Sequence, residues 1–358
     1  MILIMGALLT TSACLLCALV VDLGHLAASR AELQRASDAA ALASAAMLVD
    51  EGEPIGQPNP ALVASQAREV ASLYTQLNPA RDTGLILDTN DHNSPDGDLV
   101  LGRYTPHTGT FDPHSTQYNA IHLVLRRDTI LNGPVRLFFG GFIGRPSVNI
   151  QSVSRAYIEK DILGFRIPTG SLPGTTCELL PFSLHVDEWE KLKEKGSHSL
   201  FPSRLAPGNF GTVNIRHYDG QPLGNSASVM RDHILNGPDE QALSTFPENT
   251  LTLPFDLNGD TGVTASMRHE LNEIIDNGNN ERIIFLHKEV QGTGNTAVFT
   301  IIAFAAVRVT EIRLTGALRN RYIHIEPCTT NCSTAIGGGQ DGDTSHGIVG
   351  PTRLIRVN

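Results

Sequence analysis

Residues 1–50 read MILIMGALLTTSACLLCALVVDLGHLAASRAELQRASDAAALASAAMLVD, and this stretch decides the architecture. From Met1 to Val21 there is no charged residue. A helix rises 1.5 Å per residue, so such a run spans the ~30 Å hydrocarbon core of a bilayer. The helical pattern then continues through Asp22 into an Ala-rich, mildly polar stretch. The apolar run is longer than the core of a secretory signal, and no break in composition follows it, so it reads as a retained anchor. The expectation is a single-pass transmembrane helix that continues as a stalk and stops at Gly52.

Behind Asp22 the stalk carries a seam. Leu26, Leu33, Ala40 and Met47 recur every seven residues, with Ser29, Ala36 and Ala43 between them. A heptad of small residues suits close helix packing, either on the chain's own domain or on a partner helix.

The remainder alternates short β-branched runs with brief helical patterns, which predicts an α+β body. Three regions are expected: the anchor and stalk helix (1–52) and two extracytoplasmic α+β domains (53–160 and 161–358). Asn59-Pro60 opens a helix with Leu62, Ala67, Val70, Leu73 and Leu77 on one face. GLILD, DLVLGRY, AIHLVLRR and SVNIQSVSRAYI read as strands. RLFFGGFIG (136–144) fits a short buried helix or an aromatic loop plugging the sheet. In the second region, Asp187 and Glu190 stand at capping-box spacing before a short helix. AVFTIIAFAAVRVTEIRL is apolar on both faces, as a central covered strand must be. RLIRV is positioned to close a sheet.

Charge and cysteine usage narrow the function classes. A formal net charge of −10 argues against nucleic-acid binding and against a peripheral role on anionic lipid, both of which want basic patches. Cys14 and Cys17 lie in the apolar run, while Cys177, Cys328 and Cys332 predict one disulfide in an oxidising compartment, with the pairing open. Signals for catalysis are thin: there is no G-x-S-x-G elbow, P-loop or dinucleotide fingerprint. His269-Glu270 begins a zinc-protease-like HELNE, but Glu273 stands where the second histidine is needed. No enzyme and no resident cofactor are expected. DLNGDTGVT places Asp256, Asn258 and Asp260 at calcium-loop spacing, yet Thr261 replaces the turn glycine and Met267 the bidentate carboxylate. Two readings stand there, a polar turn or a weak calcium site.

The segment from Leu15 to Ala45 resembles the anchors of TadG-like proteins of the tight-adherence (Flp) pilus assembly system. The resemblance lies in Val21-Asp22-Leu23-Gly24 at the end of the membrane helix, the Leu33-Gln34 step and the Asp38 to Ala43 block. DLVLGRYTPHTGTF, YNAIHLVLRR, RLFFGGFIGRPSVNIQSVSRA, CELLPFSLHVDEW, GNFGTVNI and LNGDTGVTASMRHEL extend it along the chain. Many members carry a von Willebrand A domain with an Asp-x-Ser-x-Ser metal site. Here Asp161-Ile162-Leu163-Gly164-Phe165 has no serines, so no adhesion metal site is carried over. The resemblance implies a body facing the periplasm from the inner membrane, working with other Tad/Flp assembly proteins. By charge alone, Arg30 and Arg35 after the run would hold the body in the cytoplasm. A basic segment preceding residue 1, as in family anchors, would remove that conflict. The leading expectation is a non-enzymatic scaffold in pilus assembly or envelope structure. The alternatives are a minor pilin-like subunit and a calcium-dependent surface-binding protein.

Overall fold

A computed structural model describes residues 2–49, 59–80, 84–167, 170, 178–196, 198–200, 208–216, 227–260, 265–317, 320–338 and 344–355. The chain divides into two compact units. Unit 1 comprises Met1–Leu48, Pro60–Ile158 and Thr352–Asn358, and unit 2 comprises Val49–Asn59 and Glu159–Pro351.

Unit 1 is organised on one helix, α1 (Ile2–Ala46). Its apolar first half is bare: Leu3, Leu9, Leu16 and Val20 are all more than half exposed. It is the one helix among the described residues that is long and apolar enough to cross a membrane. The second half is core. Ser29, Leu33, Ala36, Ser37, Ala40, Ala41, Ser44 and Ala45 are fully buried, at the spacing of a helix with one covered face. That face lies on α2 (Pro60–Leu77) and on the sheet strands β3 and β6 described below. The seven-residue seam is therefore used within the chain. Leu33 and Ala40 are 0% exposed, Leu26 is half-buried, and Met47 alone of the four is exposed, which favours packing on the chain's own domain over packing on a partner helix.

The face predicted for α2 is corrected at its leucines, while Ala67 of that face is buried as expected. Val63, Ala64, Ala67, Ala71 and Thr75 are buried, whereas Leu62, Leu73 and Leu77 face outward. Close approach of two backbones selects small side chains: the Ser44 hydroxyl donates to the Ala67 carbonyl at 2.8 Å. Large leucines would hold the helices apart.

The unit 1 sheet contains β1 (Leu99–Thr105), β2 (Thr110–Asp112), β3 (Ala120–Arg127) and β6 (Ile150–Ile158). A short hairpin, β4 (Val135–Arg136) with β5 (Ser147–Val148), lies between β3 and β6 in sequence. The strand order is β2-β1-β3-β6, all antiparallel, and the far edge is taken by the last strand of the chain, β20 (Thr352–Ile355). RLIRV thus closes a sheet, but that of the first unit. GLILD forms no ladder. Leu85 and Leu87 are buried and Ile86 is 61% exposed, so the period of two is present. The Asn132 side chain takes the place of a neighbouring strand, accepting from Ile86 N at 2.7 Å and donating to Ile86 O at 2.8 Å.

Unit 2 begins with β7 (Ile162–Arg166), β8 (Leu179–His185), α3 (Val186–Lys195), β9 (His198–Leu200) and β10 (Phe210–Val213). There follow α4 (Ala227–Asn236), α5 (Glu240–Leu243), β11 (Thr250–Thr252), β12 (Phe255–Asp260) and α6 (Arg268–Asp276). It ends with β13 (Glu281–Gln291), β14 (Ala297–Arg313), β15 (Tyr322–Pro327), β16 (Thr330–Asn331), β17 (Ala335–Gly337), β18 (Ser345–His346) and β19 (Ile348–Val349). The main sheet runs β12-β10-β8-β13-β14-β15-β9, with β14 also bonded to β12 and β18, so the doubly apolar run is the central strand. Alternation along β13 sends Ile283 and Phe285 into one core and Ile284 and Leu286 into another. The first core holds Phe255, Phe299 and Phe304 together with residues of the small sheet β11-β7-β17; the second holds Trp189, Met230 and Leu271 from α3, α4 and α6. Gly211 and Gly259 make room for Phe299, since a Cβ on either would lie within 2.8 Å of its ring. At α3 the cap falls two residues before the predicted one: His185 accepts from Asp187 N.

Candidate functional site

In unit 1 the most unusual surface lies where the bare half of α1 meets the β4–β5 hairpin. Asp22 is 7% exposed, and its carboxylate is used at once by the hairpin tip. Oδ1 accepts from Phe138 N at 2.7 Å, and Oδ2 accepts from Phe139 N at 3.1 Å. One turn further on, His25 Nε2 donates to Arg136 O at 3.0 Å, and its ring packs against Phe138 with centroids 4.9 Å apart. A charged acceptor on two adjacent backbone N–H groups is a strong tie. Helix and hairpin are joined here by two carboxylate bonds, an imidazole bond and a ring contact.

The tip between the strands is built rather than slack. Gly140–Ile143 forms a 3₁₀ turn closed by Gly144 in the left-handed region (φ 72°). Leu137 N donates to Pro146 O and Arg145 N to Gly140 O, both at 2.9 Å. Gly140 is buried, and a Cβ there would lie 2.1 Å from Arg145 O. This frame holds apolar side chains outward: Phe138 is 64% exposed, Phe142 87% and Ile143 69%. RLFFGGFIG is therefore neither a buried helix nor a plug of the sheet. Beside it lies a groove of about 960 Å³, lined by His25, Arg127, Arg136, Leu137, Phe138 and Pro146 among others.

The residues singled out for metal chemistry are not assembled into a site. Asp256, Asn258 and Asp260 lie along β12, where alternate residues are separated by roughly 6.6 Å of rise per pair. Oxygens converge on calcium at 2.3–2.6 Å only from a wound loop. Asp256 is exposed and Asn258 is 8% exposed within the sheet. Thr261 lies outside the described residues. In HELNE, His269 and Glu273 form a surface pair at 3.7 Å on α6. Among the described residues no group of three or more His, Cys, Asp or Glu is placed to hold a metal. Cys328 and Cys332 are buried free thiols, so they do not pair with each other; Cys177 lies outside the described residues. Burial pushes the Cys328 thiol up to about 12.

Two buried polar groupings of unit 2 carry no signature in the sequence. Ser183 Oγ lies 2.7 Å from His287 Nδ1, the distance of a nucleophile and its base. His287 Nε2 faces Gly208 O at 2.9 Å, so Nε2 carries the proton and Nδ1 accepts from the serine. Both residues are 0% exposed, which closes the hydroxyl to a substrate. Burial lowers His287 to about 4, with His185 acting the same way and the Gly208 bond opposing. Arg282, 2% exposed, bonds Asn279 Oδ1 and Glu281 O beside a 380 Å³ cavity that Glu178, Asp232 and Asp239 also line. Desolvation raises the Glu178 carboxyl, against the pull of Arg282. Pairs spread over separate strands leave no local motif.

Residues 22–156 match the family model Tad_C, described as "Putative Tad-like Flp pilus-assembly". This segment is Tad-like. The match begins at Asp22, the residue that ties α1 to the hairpin, and ends within β6. It covers α2, the buried half of α1 and the sheet from β1 to most of β6, and it supports the resemblance read from the stalk. No curated protein and no solved structure matches the chain. The segment similar to this family is continuous with a helix long and apolar enough to cross a membrane.

Proposed function

We propose that this protein is a non-enzymatic scaffold of Tad/Flp pilus assembly, TadG-like in its role, held in the inner membrane by α1 with most of the chain in the periplasm. One observation carries this reading. The helix that would cross the bilayer is the same unbroken helix around which the Tad-like segment folds. A load on the body would reach the membrane through a continuous hydrogen-bonded rod rather than through a linker. Its expected partners are inner-membrane lipid and other Tad/Flp assembly proteins.

Reporter fusions after Gly52 and after Asn358 test the topology. Periplasmic activity at both positions is expected, and cytoplasmic activity at both would overturn the assignment. Co-purification of Tad components with the full-length chain tests the role, and turnover of a substrate by the purified protein would contradict it. The pilin-like alternative requires the stalk to pack into a filament. Burial of Leu33, Ala36 and Ala40 inside unit 1 disfavours this for the second half of the helix. The calcium-dependent alternative predicts a rise in melting temperature at millimolar calcium, which the extended placement of Asp256, Asn258 and Asp260 does not favour.

A further inference from the structure

We propose that the hairpin tip 137–144 is a second membrane contact. Phe138, Phe142 and Ile143 would enter the interfacial layer of the bilayer that α1 spans, and Arg136 and Arg145 would meet lipid phosphates. The inference rests on α1 being the membrane anchor.

Continuity with the span is the first argument. Phe138 N and Phe139 N are bonded to Asp22, the residue directly after the uncharged run. Whatever medium covers Leu19, Val20 and Val21, each about half or more exposed, reaches the hairpin tip as well. A helix that leaves the hydrocarbon at Val21 sets the tip at the level of the headgroups.

The second argument is chemistry. Phe138, Phe142 and Ile143 are exposed together on a frame that fixes them outward through the Leu137–Pro146 and Gly140–Arg145 backbone bonds. A rigid apolar tip flanked by exposed arginines is the combination that lies at a membrane interface: rings among the acyl chains, guanidinium groups at the phosphates. A water-facing tip would have no use for three large apolar side chains.

The contact would have a mechanical consequence. A body on one membrane helix is free to swivel about the helix axis and to tilt. A second, off-axis contact removes that freedom and presents a fixed face of the Tad-like segment to its partners.

The test uses the full chain reconstituted into phosphatidylcholine vesicles. Phe142→Trp puts a reporter on the tip, where exposure lets the larger ring fit. Gln66→Trp is the control, being exposed on α2 beside Ala67, which contacts Ser44 about 33 Å along α1 from Asp22. The native Trp189 is buried in unit 2, and its signal is subtracted using the wild type. Emission from the Phe142→Trp protein is expected to be blue-shifted and to be lost when the lipid is replaced by acyl-brominated phosphatidylcholine, while Gln66→Trp emission persists. Red, unquenched emission from Phe142→Trp in protein that floats with the vesicles overturns the proposal and assigns the tip to water or to a protein partner. Protein that fails to float overturns the anchor reading itself.

Discussion

Asp22 shows how much a single side chain can settle. Its carboxylate takes the N–H groups of Phe138 and Phe139, so Asp22→Ala takes the acceptor from both donors. A hydrogen bond to a carboxylate contributes about 1.5–3 kcal/mol at most. Amide exchange at Phe138 and Phe139 should accelerate roughly tenfold or more, with Asp22→Asn intermediate because one acceptor oxygen remains. Unchanged exchange would mean that the hairpin is held by other contacts. His287 and His233 offer a second measurement in unit 2. Both are lowered to about 4, by burial foremost, from an ordinary value of 6.5. Between those values the unfolded chain binds protons that the folded chain refuses. The stability they support is full above pH 6.5 and is lost as pH falls towards 4, by on the order of 3 kcal/mol for each group. Thermal unfolding between about pH 7 and pH 4.5 should show that decline, and His287→Gln should make it shallower. A flat profile would contradict the burial of these rings.

At the scale of the element, α1 and α2 differ from their sequence reading in an instructive way. The periodicity of α2 offers two stripes, one of leucines and one of Val63, Ala64, Ala67 and Ala71. The structure buries the small one because α1 presents alanines and serines that allow close approach. Ala67→Leu should therefore cost about 1–3 kcal/mol through overpacking, while Leu73→Ser, half-exposed, should stay within about 0.5 kcal/mol. Melting temperatures of the two variants decide between the stripes, and the reverse ranking would restore the leucine face. The same reasoning explains the seam: Leu33 and Ala40 belong to the core because the sheet and α2 cover them. Their spacing could not say whether the covering surface was the chain's own.

At the scale of the whole molecule, the Glu159–Pro351 part of unit 2 lies in sequence between β6 and β20, two strands that pair in unit 1. The last strand runs antiparallel to β6, with Thr352 opposite Ile158 and Ile355 opposite Arg155. Deleting residues 352–358 should leave the outer edge of β6 unpaired. Faster amide exchange over residues 155–158 and self-association of the truncated protein are the expected outcomes. Unaltered exchange there would show that this edge needs no partner from the end of the chain. The Tad-like match at residues 22–156 stops short of β20, so the strand that completes the sheet lies outside the matched segment.

The sequence alone determined the bilayer-length apolar helix, its passage through Asp22 into an Ala-rich stalk, the α+β character, the central strand Ala297–Arg313 and the resemblance to Tad proteins. These are properties of composition and short-range period, and a chain carries them wherever it goes. Only the tertiary structure decided which stripe of α2 is buried, that the stalk seam is used internally, that RLIRV returns to the first sheet, and that Asp256, Asn258 and Asp260 lie extended. It also joined Asp22 to residues 116 and 117 positions away, turning FFGGFIG from an ambiguous apolar run into a rigid exposed tip at the end of the span. The physical reason is common to all of them. Burial and hydrogen bonding depend on what arrives from distant parts of the chain, and no local period records the identity of a distant partner.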